Sequence, residues 1–422
     1  MKLLINLCAH DGIISHYAGV GTIVRRYIEV IRKILSKKNI DYHLNLFTLE
    51  FNENSMGYNK ELWNYHALLD NTSLYILPNG TNGETSFGNI ENWLLASQNV
   101  ANEINKINFK DYDYVLNLCN DTPFAYLTTL IKKEENSIIT WIPHSTGKIY
   151  DEDMSLNSNK LTISERVKME QDVIDYINNH DNTYAVSTGI YIKNHLINSY
   201  GLINNADLIN GELLFRNNIY TENDRVYDIF KEVNNYDSIV LSFGRAERYK
   251  NLDKAMLLGS KLGVKSIVIT QQYFEGQPII KEYKELAKKT NSLLYVDEPF
   301  FLPQYIVKNY NKPIILLIPS EREVFGLIIN EIRRFNKDNV LIVANDRGGL
   351  HEQISDGIDG ILVDLNNINN SANKIKKYLD DEVVKKMNIE SQKKLRNNYD
   401  LEKNFDIFFK KVLGDNYEWF IT

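Results

Sequence analysis

The stretch PSEREVFGLIINEI, Pro319 to Ile332, decides how the rest of the chain is read. It follows the apolar run Ile314 to Ile318 and passes through a charged loop, Ser320 to Glu323. It then re-enters apolar periodicity at Phe325, Leu327, Ile328 and Ile332. That pattern spells a buried strand, a turn and a helix N-terminus. The unpaired N–H groups and positive dipole end of a helix start favour an anion such as a diphosphate. Gly326 lets a ligand approach the backbone closely. Glu323 stands before the helix and Glu331 on it, about 12 Å apart if the whole interval were helical. A nucleotide-sugar, with hydroxyls at both ends and phosphates between them, suits that layout.

Outward from this stretch, the totals bound the answer. A chain of 422 residues is too long for one ordinary core and fits two domains. Its 43% hydrophobic and 24% charged residues are those of a globular protein. The net charge of −7 gives no global attraction to nucleic acid. Cys8 and Cys119 both fall in apolar, strand-like runs and read as buried thiols, which points to a reducing, cytoplasmic setting. The start MKLLINLCAHDG is interrupted too soon for a signal peptide, and no apolar run has membrane-spanning length. The abundance of Asn, Lys and Ile reads as compositional bias without functional content.

Lys2 to Cys8 reads as a first strand, and Gly19 and Gly21 lead into a helix from about Thr22 to Ser36. Strand, glycine loop and helix make either a phosphate-facing turn or a tight turn that only packs helix on strand. Residues 22–38 also carry Arg25, Arg26, Arg32, Lys33, Lys37 and Lys38. Such a face is either solvated or a weak peripheral contact with an anionic membrane; the negative net charge and Glu29 favour the first. The pattern loosens from Phe51 to Gly88, then strand–helix alternation resumes, including a helix expected over Pro123 to Lys133. The strand Ile138 to Ile142 ends in PHSTG, so His144 sits at a strand's C-terminal end, where open parallel sheets place ligands. Alternation fails over Arg216 to Tyr236. A second strand–loop–helix series starts at Ser238, with Arg245 and Lys250 in its first loop as a candidate anion clamp. NDRGGLHEQI, with Gly348 and Gly349, reads as a glycine-bearing turn. The expected organisation is an N-terminal Rossmann-like domain over 1–215, a linker over 216–236 and a second Rossmann-like domain over 237–396. A helical tail over 397–422 would pack back toward the first domain. Two doubly wound domains in series imply a ligand cleft between their strand C-termini.

With these pieces in order, the chain resembles the retaining GT-B glycosyltransferases of the group 1 (family 4) type. The resemblance rests on AGVGTIVRRYI, WIPHS, AVSTGIYIKNHLINSYG, INGELLF, SFGRAERYKN, PSEREVFGLIINE with its E-x7-E carboxylates Glu323 and Glu331, and NDRGGLHEQISDGIDGILVD. It implies an α/β GT-B fold and a nucleotide-diphospho-sugar, UDP- or GDP-linked, as co-substrate. It also assigns roles. Arg245 and Lys250 neutralise the donor diphosphate, Glu323 holds hydroxyls of the donor sugar and Glu331 holds the ribose. Gly19, Gly21, Val324, Phe325, Gly326, Leu327 and Ile328 form the donor site, largely through backbone N–H groups. Asp297, Glu298, Pro299 and Phe300 lie against the base, and His144 sits by the reacting sugar. The resemblance implies transfer of a hexose-type sugar with retention, without a metal or other cofactor. The acceptor is left open: a small molecule, a glycan or a lipid-linked sugar. DYD at Asp111 to Asp113 and DED at Asp151 to Asp153 imitate metal-binding DxD motifs but stand in the wrong contexts. The alternatives are a non-catalytic nucleotide-sugar-binding protein or inactive partner subunit, and a sugar-nucleotide epimerase of the same fold.

Overall fold

The computed structural model describes all residues except 1, 17, 54–56, 80–89, 152–159, 213–222, 273, 336 and 415–422. The chain divides into two compact units, Met1–Leu213 together with Leu401–Thr422, and Leu214–Asp400.

The first unit is built on β1 (Lys2–Cys8), β2 (Asp41–Leu49), β3 (Thr72–Leu77), β4 (Tyr114–Asn120), β5 (Ser137–Ile142), β6 (Thr183–Ser187) and β7 (Asn205–Asp207). These pair in the order β3-β2-β1-β4-β5-β6-β7, with every ladder parallel. The second unit holds β8 (Ile239–Arg245), β9 (Lys265–Gln271), β10 (Leu293–Val296), β11 (Ile314–Ile318), β12 (Val340–Asn345) and β13 (Ile361–Val363). Its order is β10-β9-β8-β11-β12-β13, again all parallel. Helices between the strands supply the crossovers that parallel pairing requires. Apolar runs such as IILLI in β11 are buried throughout because parallel sheets of this kind are covered on both faces. In each sheet the strand order reverses once, between β1 and β4 and between β8 and β11. Loops leaving the C-terminal ends of strands at such a switch point diverge and leave a crevice.

The asparagines have structural content that composition alone hides. Asn45 Nδ2 donates to Asn6 Oδ1 (2.9 Å), Asn6 Nδ2 to Asn117 Oδ1 (2.8 Å), and Asn117 Nδ2 to the Ile138 carbonyl (3.1 Å). This ladder runs through the buried middle of β2, β1 and β4, where the three asparagines stand in register. A one-residue slip would leave buried amides unpaired, so the ladder pins the register.

The junction and tail differ in detail from the pattern read in the sequence. Asp224–Val233, placed in the linker, is a helix of the second unit whose Val226, Ile229 and Val233 are buried at helical spacing. Asn223 caps it by accepting from the Val226 N–H. Residues 213–222 lie outside the description. The helix Asp381–Asn398 runs slightly beyond the expected limit of the second domain, and the tail helix is Leu401–Leu413. The tail helix buries Phe405, Phe408 and Phe409 in the first unit, with Phe405 edge-on to Tyr27 at 5.0 Å. Its Glu402 and Asp406 pair with Lys33 and Lys38, while buried Arg26 meets Glu212 at 2.9 Å. Much of the basic face of residues 22–38 is thus turned toward carboxylates of its own unit. Over Pro123 to Lys133 the expected helix is only a 3-10 turn (Thr122–Phe124) and a single turn (Leu127–Leu130). The Thr128 and Thr129 hydroxyls bond the carbonyls of Ala125 and Tyr126 and compete with helix propagation.

Candidate active site

In the second unit the switch point brings together the loops after β8 and β11. Beyond Arg245 the chain makes a 3-10 turn, Arg248–Lys250, and Asn251 takes a left-handed conformation (φ 50°) that starts the helix Leu252–Leu262. Asparagine tolerates that conformation better than most side chains. Asn251 Nδ2 donates to Glu321 Oε1 (3.1 Å), and the Glu321 N–H donates to the Tyr249 carbonyl (2.8 Å). The two loops are therefore stitched together. Lys250 Nζ then lies 2.9 Å from Glu323 Oε2, with both side chains about one-fifth exposed. Arg245, expected in the loop, is instead the last residue of β8, donating to the Tyr249 hydroxyl (3.1 Å) and pairing with Glu247 (3.3 Å). The structure thus joins two of the residues assigned to the donor and sets a third one strand end away.

The Glu323 backbone is shaped from behind by the double glycine. Gly349 N donates to the Glu323 carbonyl (2.7 Å), and Gly348 has φ 53°. A Cβ on Gly348 would stand 2.5 Å from the Glu323 oxygen, and one on Gly349 would stand 2.0 Å from the Val324 oxygen. Only glycine fits either position. NDRGGL is therefore more than a turn: it is the floor under Glu323 and Val324, a role its sequence did not single out. Gly326, at φ 82°, ends the loop, and the helix it opens is short, Leu327–Arg333. Phe325 and Gly326 are buried, whereas Val324, Leu327, Ile328 and the Glu331 side chain are half-buried. The first N–H groups of any helix have no intrahelical acceptor, which leaves those of Leu327 and Ile328 as donors. The loop Asp297, Glu298, Pro299 and Phe300 follows β10, two strands from β8 at the edge of the sheet. Its carboxylates are engaged locally: Asp297 accepts from Gln272, and Glu298 is held by Arg225. The Phe300 ring is half exposed.

In the first unit the switch point gathers the ends of β1, β4 and β5. The buried Asp11 carboxylate accepts from the N–H groups of Gly12 (2.8 Å) and Ala18 (2.9 Å) and from the Ser15 hydroxyl (3.0 Å). Gly19 is the exposed first residue of the helix Gly19–Lys37. Gly21 is buried against Asp11, where a Cβ would stand 2.4 Å from Oδ2. The helix packing reading of this glycine loop therefore has a concrete cause, an internal carboxylate beside the helix start.

His144 Nε2 lies 3.3 Å from Asn120 Oδ1. The Asn120 amide nitrogen already donates to the carbonyls of Cys8 and Leu118, so its oxygen must accept from His144. That assigns the proton to Nε2 and leaves Nδ1 as an acceptor. Burial, assisted by His10 and opposed by Asp121, pushes the His144 ring down to about 4, so it is neutral at pH 7. Asp121 itself, 3.8 Å from His10, has φ 65° and ψ −179°. That region is sparsely populated for residues with a Cβ, and such strain concentrates at functional sites. His10, Asn120 and Asp121 did not stand out in the sequence, because they are ordinary polar residues until strand order brings them to one edge. DYD lies elsewhere: Asp111 ends the 3-10 turn Phe109–Asp111 and Asp113 precedes β4 at its N-terminal end, where it accepts from the Lys2 N–H. DED falls largely outside the described residues. Among the described residues no group of three His, Cys, Asp or Glu side chains could hold a metal ion, and no helix is long and apolar enough to cross a membrane.

Residues 227–400 match the family model "Glycosyl transferases group 1". No curated protein matches the chain at the level of sequence. Among solved structures, the chain is similar to sucrose-phosphate synthase from Thermosynechococcus elongatus, with TM-score 0.73, 14% identity, and 97% of this chain and 99% of that one covered. It is also similar to Anabaena HepE in complex with UDP and glucose, with TM-score 0.66, 15% identity and coverage of 98% and 100%. A third similar structure is WaaG, a glycosyltransferase involved in lipopolysaccharide biosynthesis, with TM-score 0.62, 11% identity and coverage of 97% and 100%. The fold is GT-B, two Rossmann-like α/β domains. The second unit carries a group 1 glycosyltransferase domain, and the protein is a glycosyltransferase.

Proposed function

We propose that the protein moves a hexose-type sugar from a nucleotide-diphospho-sugar to an acceptor hydroxyl, with retention and without a metal. The observation that carries the reading is the Lys250–Glu323 pair at the β8/β11 switch point, 2.9 Å apart, with Arg245 at the end of β8. One cation next to one carboxylate suits a ligand that is anionic at its diphosphate and hydroxylic at its sugar. Arg245 and Lys250 would oppose the charge that grows on the leaving phosphate, the place where electrostatic stabilisation acts most strongly. Backbone N–H groups of Gly326, Leu327 and Ile328 would meet phosphate, Glu323 the sugar hydroxyls and Glu331 the ribose. The loop Asp297 to Phe300 offers its main chain to the base, since its carboxylates are already engaged. UDP is the favoured nucleotide because similar HepE structures hold UDP with glucose or UDP-glucose.

The anomeric C–O bond to phosphate breaks while the acceptor oxygen bonds to the same face of the sugar. The acceptor proton leaves with the departing phosphate oxygen, so no protein base is consumed. A neutral His144 fits that scheme as a hydrogen-bonding group beside the reacting sugar, not as an acid. Buried Cys8 and Cys119, both free thiols, accord with a reducing cytoplasm.

The test is incubation with UDP-, GDP- and ADP-sugars, following nucleotide release and anomeric configuration. One nucleotide should be released slowly even without acceptor, undiminished by EDTA, and Glu323→Gln should lower the rate at least about 100-fold. Strict Mn²⁺ dependence would overturn the metal-free reading. Donor binding without release under any acceptor extract would favour a nucleotide-sugar-binding protein.

A further inference from the structure

Behind His144 the first unit contains a buried polar hub. The chain leaves β5 as His144, Ser145, Thr146, Gly147 and Lys148, and each of the last four is tied to a helix. Glu170 is fully buried, and both its oxygens accept from the Gly147 N–H (3.1 and 2.9 Å). Its Oε1 also accepts from Arg166 Nε (2.7 Å), and its Oε2 from the Tyr200 hydroxyl (2.5 Å). Arg166 spans the remaining gap: its NH2 donates to the Ser145 carbonyl (3.2 Å) and hydroxyl (3.3 Å). Thr146 Oγ1 shares a hydrogen bond with His195 Nε2 (2.7 Å), and the Lys148 N–H donates to the Tyr200 hydroxyl (3.3 Å). Gly147 is required for this approach, since a Cβ there would stand 2.8 Å from Val167 Cγ2.

A buried carboxylate is costly unless its partners are complete, and removing one partner leaves an uncompensated charge. Here the partners are complete, and all of them converge on one loop. A core that only needed filling would be served as well by apolar side chains. We propose that Glu170 and Arg166 are positioning residues for His144: Glu170 fixes the Arg166 fork, and the fork fixes Ser145 and with it the orientation of the adjacent imidazole. The proposal rests on the reading of His144 as a group beside the reacting sugar.

The decisive variant is Arg166→Lys in the full chain. Lysine keeps a cation near Glu170 but has no planar fork to bridge Glu170 and Ser145 together. The variant should keep its thermal midpoint within a few degrees, shift the His144 ring C–H resonance, and lower kcat for nucleotide release about 10-fold with donor KM unchanged. The resonance is assigned by its disappearance in His144→Gln. Glu170→Gln, which retains shape but loses charge, should move the same resonance. An unmoved His144 resonance in both variants overturns the proposal, as does a moved resonance with wild-type kcat. If Glu170→Gln fails to fold, Arg166→Lys alone decides. If wild type releases nucleotide from no donor, the functional reading fails, while the resonance still judges whether the hub positions His144.

Discussion

Acid should loosen the first unit, and the sign follows from where its histidines sit. Burial pushes His66 and His144 down to about 4, His195 to about 4 and His16 to about 3, all from an ordinary value of 6.5. Each belongs to the first unit. His66 is the cleanest case: it is 2% exposed, its Nδ1 donates to the Ile13 carbonyl at 2.7 Å, and Arg25 and Arg32 add to the effect of burial. Above pH 6.5 its ring is neutral in folded and unfolded chains alike, and its contribution to stability is whole. As pH falls from 6.5 towards 4 the unfolded chain takes up a proton that the folded chain refuses, so stability is lost across that window. At pH 5 the loss from His66 alone is about 2 kcal/mol. The other three rings are partly exposed and add less each, because solvent reaches them. The measurement is the thermal midpoint of the full chain and of His66→Gln between pH 7.5 and pH 5. Glutamine can still donate to Ile13 but cannot titrate. At pH 7.5 the variant is expected to be slightly less stable. At pH 5 the gap should close or invert, a relative gain of about 4–8 °C for a unit of this size. Parallel pH curves for the two proteins, or wild type gaining stability towards pH 5, would refute the reasoning.

Two further outcomes test the site and the fold. Gly349→Ala drives a methyl into the Val324 carbonyl, 2.0 Å away. It should cost about 1–3 kcal/mol and abolish the rise in thermal midpoint that UDP gives wild type, since Glu323 and Val324 must move; an undiminished UDP-induced rise would show that the floor is not needed. Phe405→Ala empties a fully buried position against Tyr27. A loss of about 3–5 kcal/mol is expected, seen as faster hydrogen exchange in peptides of the helix Gly19–Lys37; exchange unchanged there would mean that the tail contributes little to the first unit.

The local pattern determined a great deal. Runs of Val, Ile and Leu ending in glycine or charged loops mark parallel strands whose loops face one edge, because burial on both faces demands continuous apolar residues. The E-x7-E stretch, Arg245 and Lys250 were legible for the same reason: each stands just beyond such a run. Tertiary structure decided what the period cannot carry, namely which strand ends are neighbours. Lys250 and Glu323 meet across 73 residues of sequence only because β8 lies beside β11. His10, Asn120 and Asp121 join His144 only because β1, β4 and β5 are adjacent. The Asn6–Asn45–Asn117 ladder, the Asp11 carboxylate behind Gly21 and the glycine floor under Glu323 are likewise pairings of distant residues. A hydrogen bond or a close approach depends on position in space. Local propensity records only what a residue meets within a turn or two of its own chain.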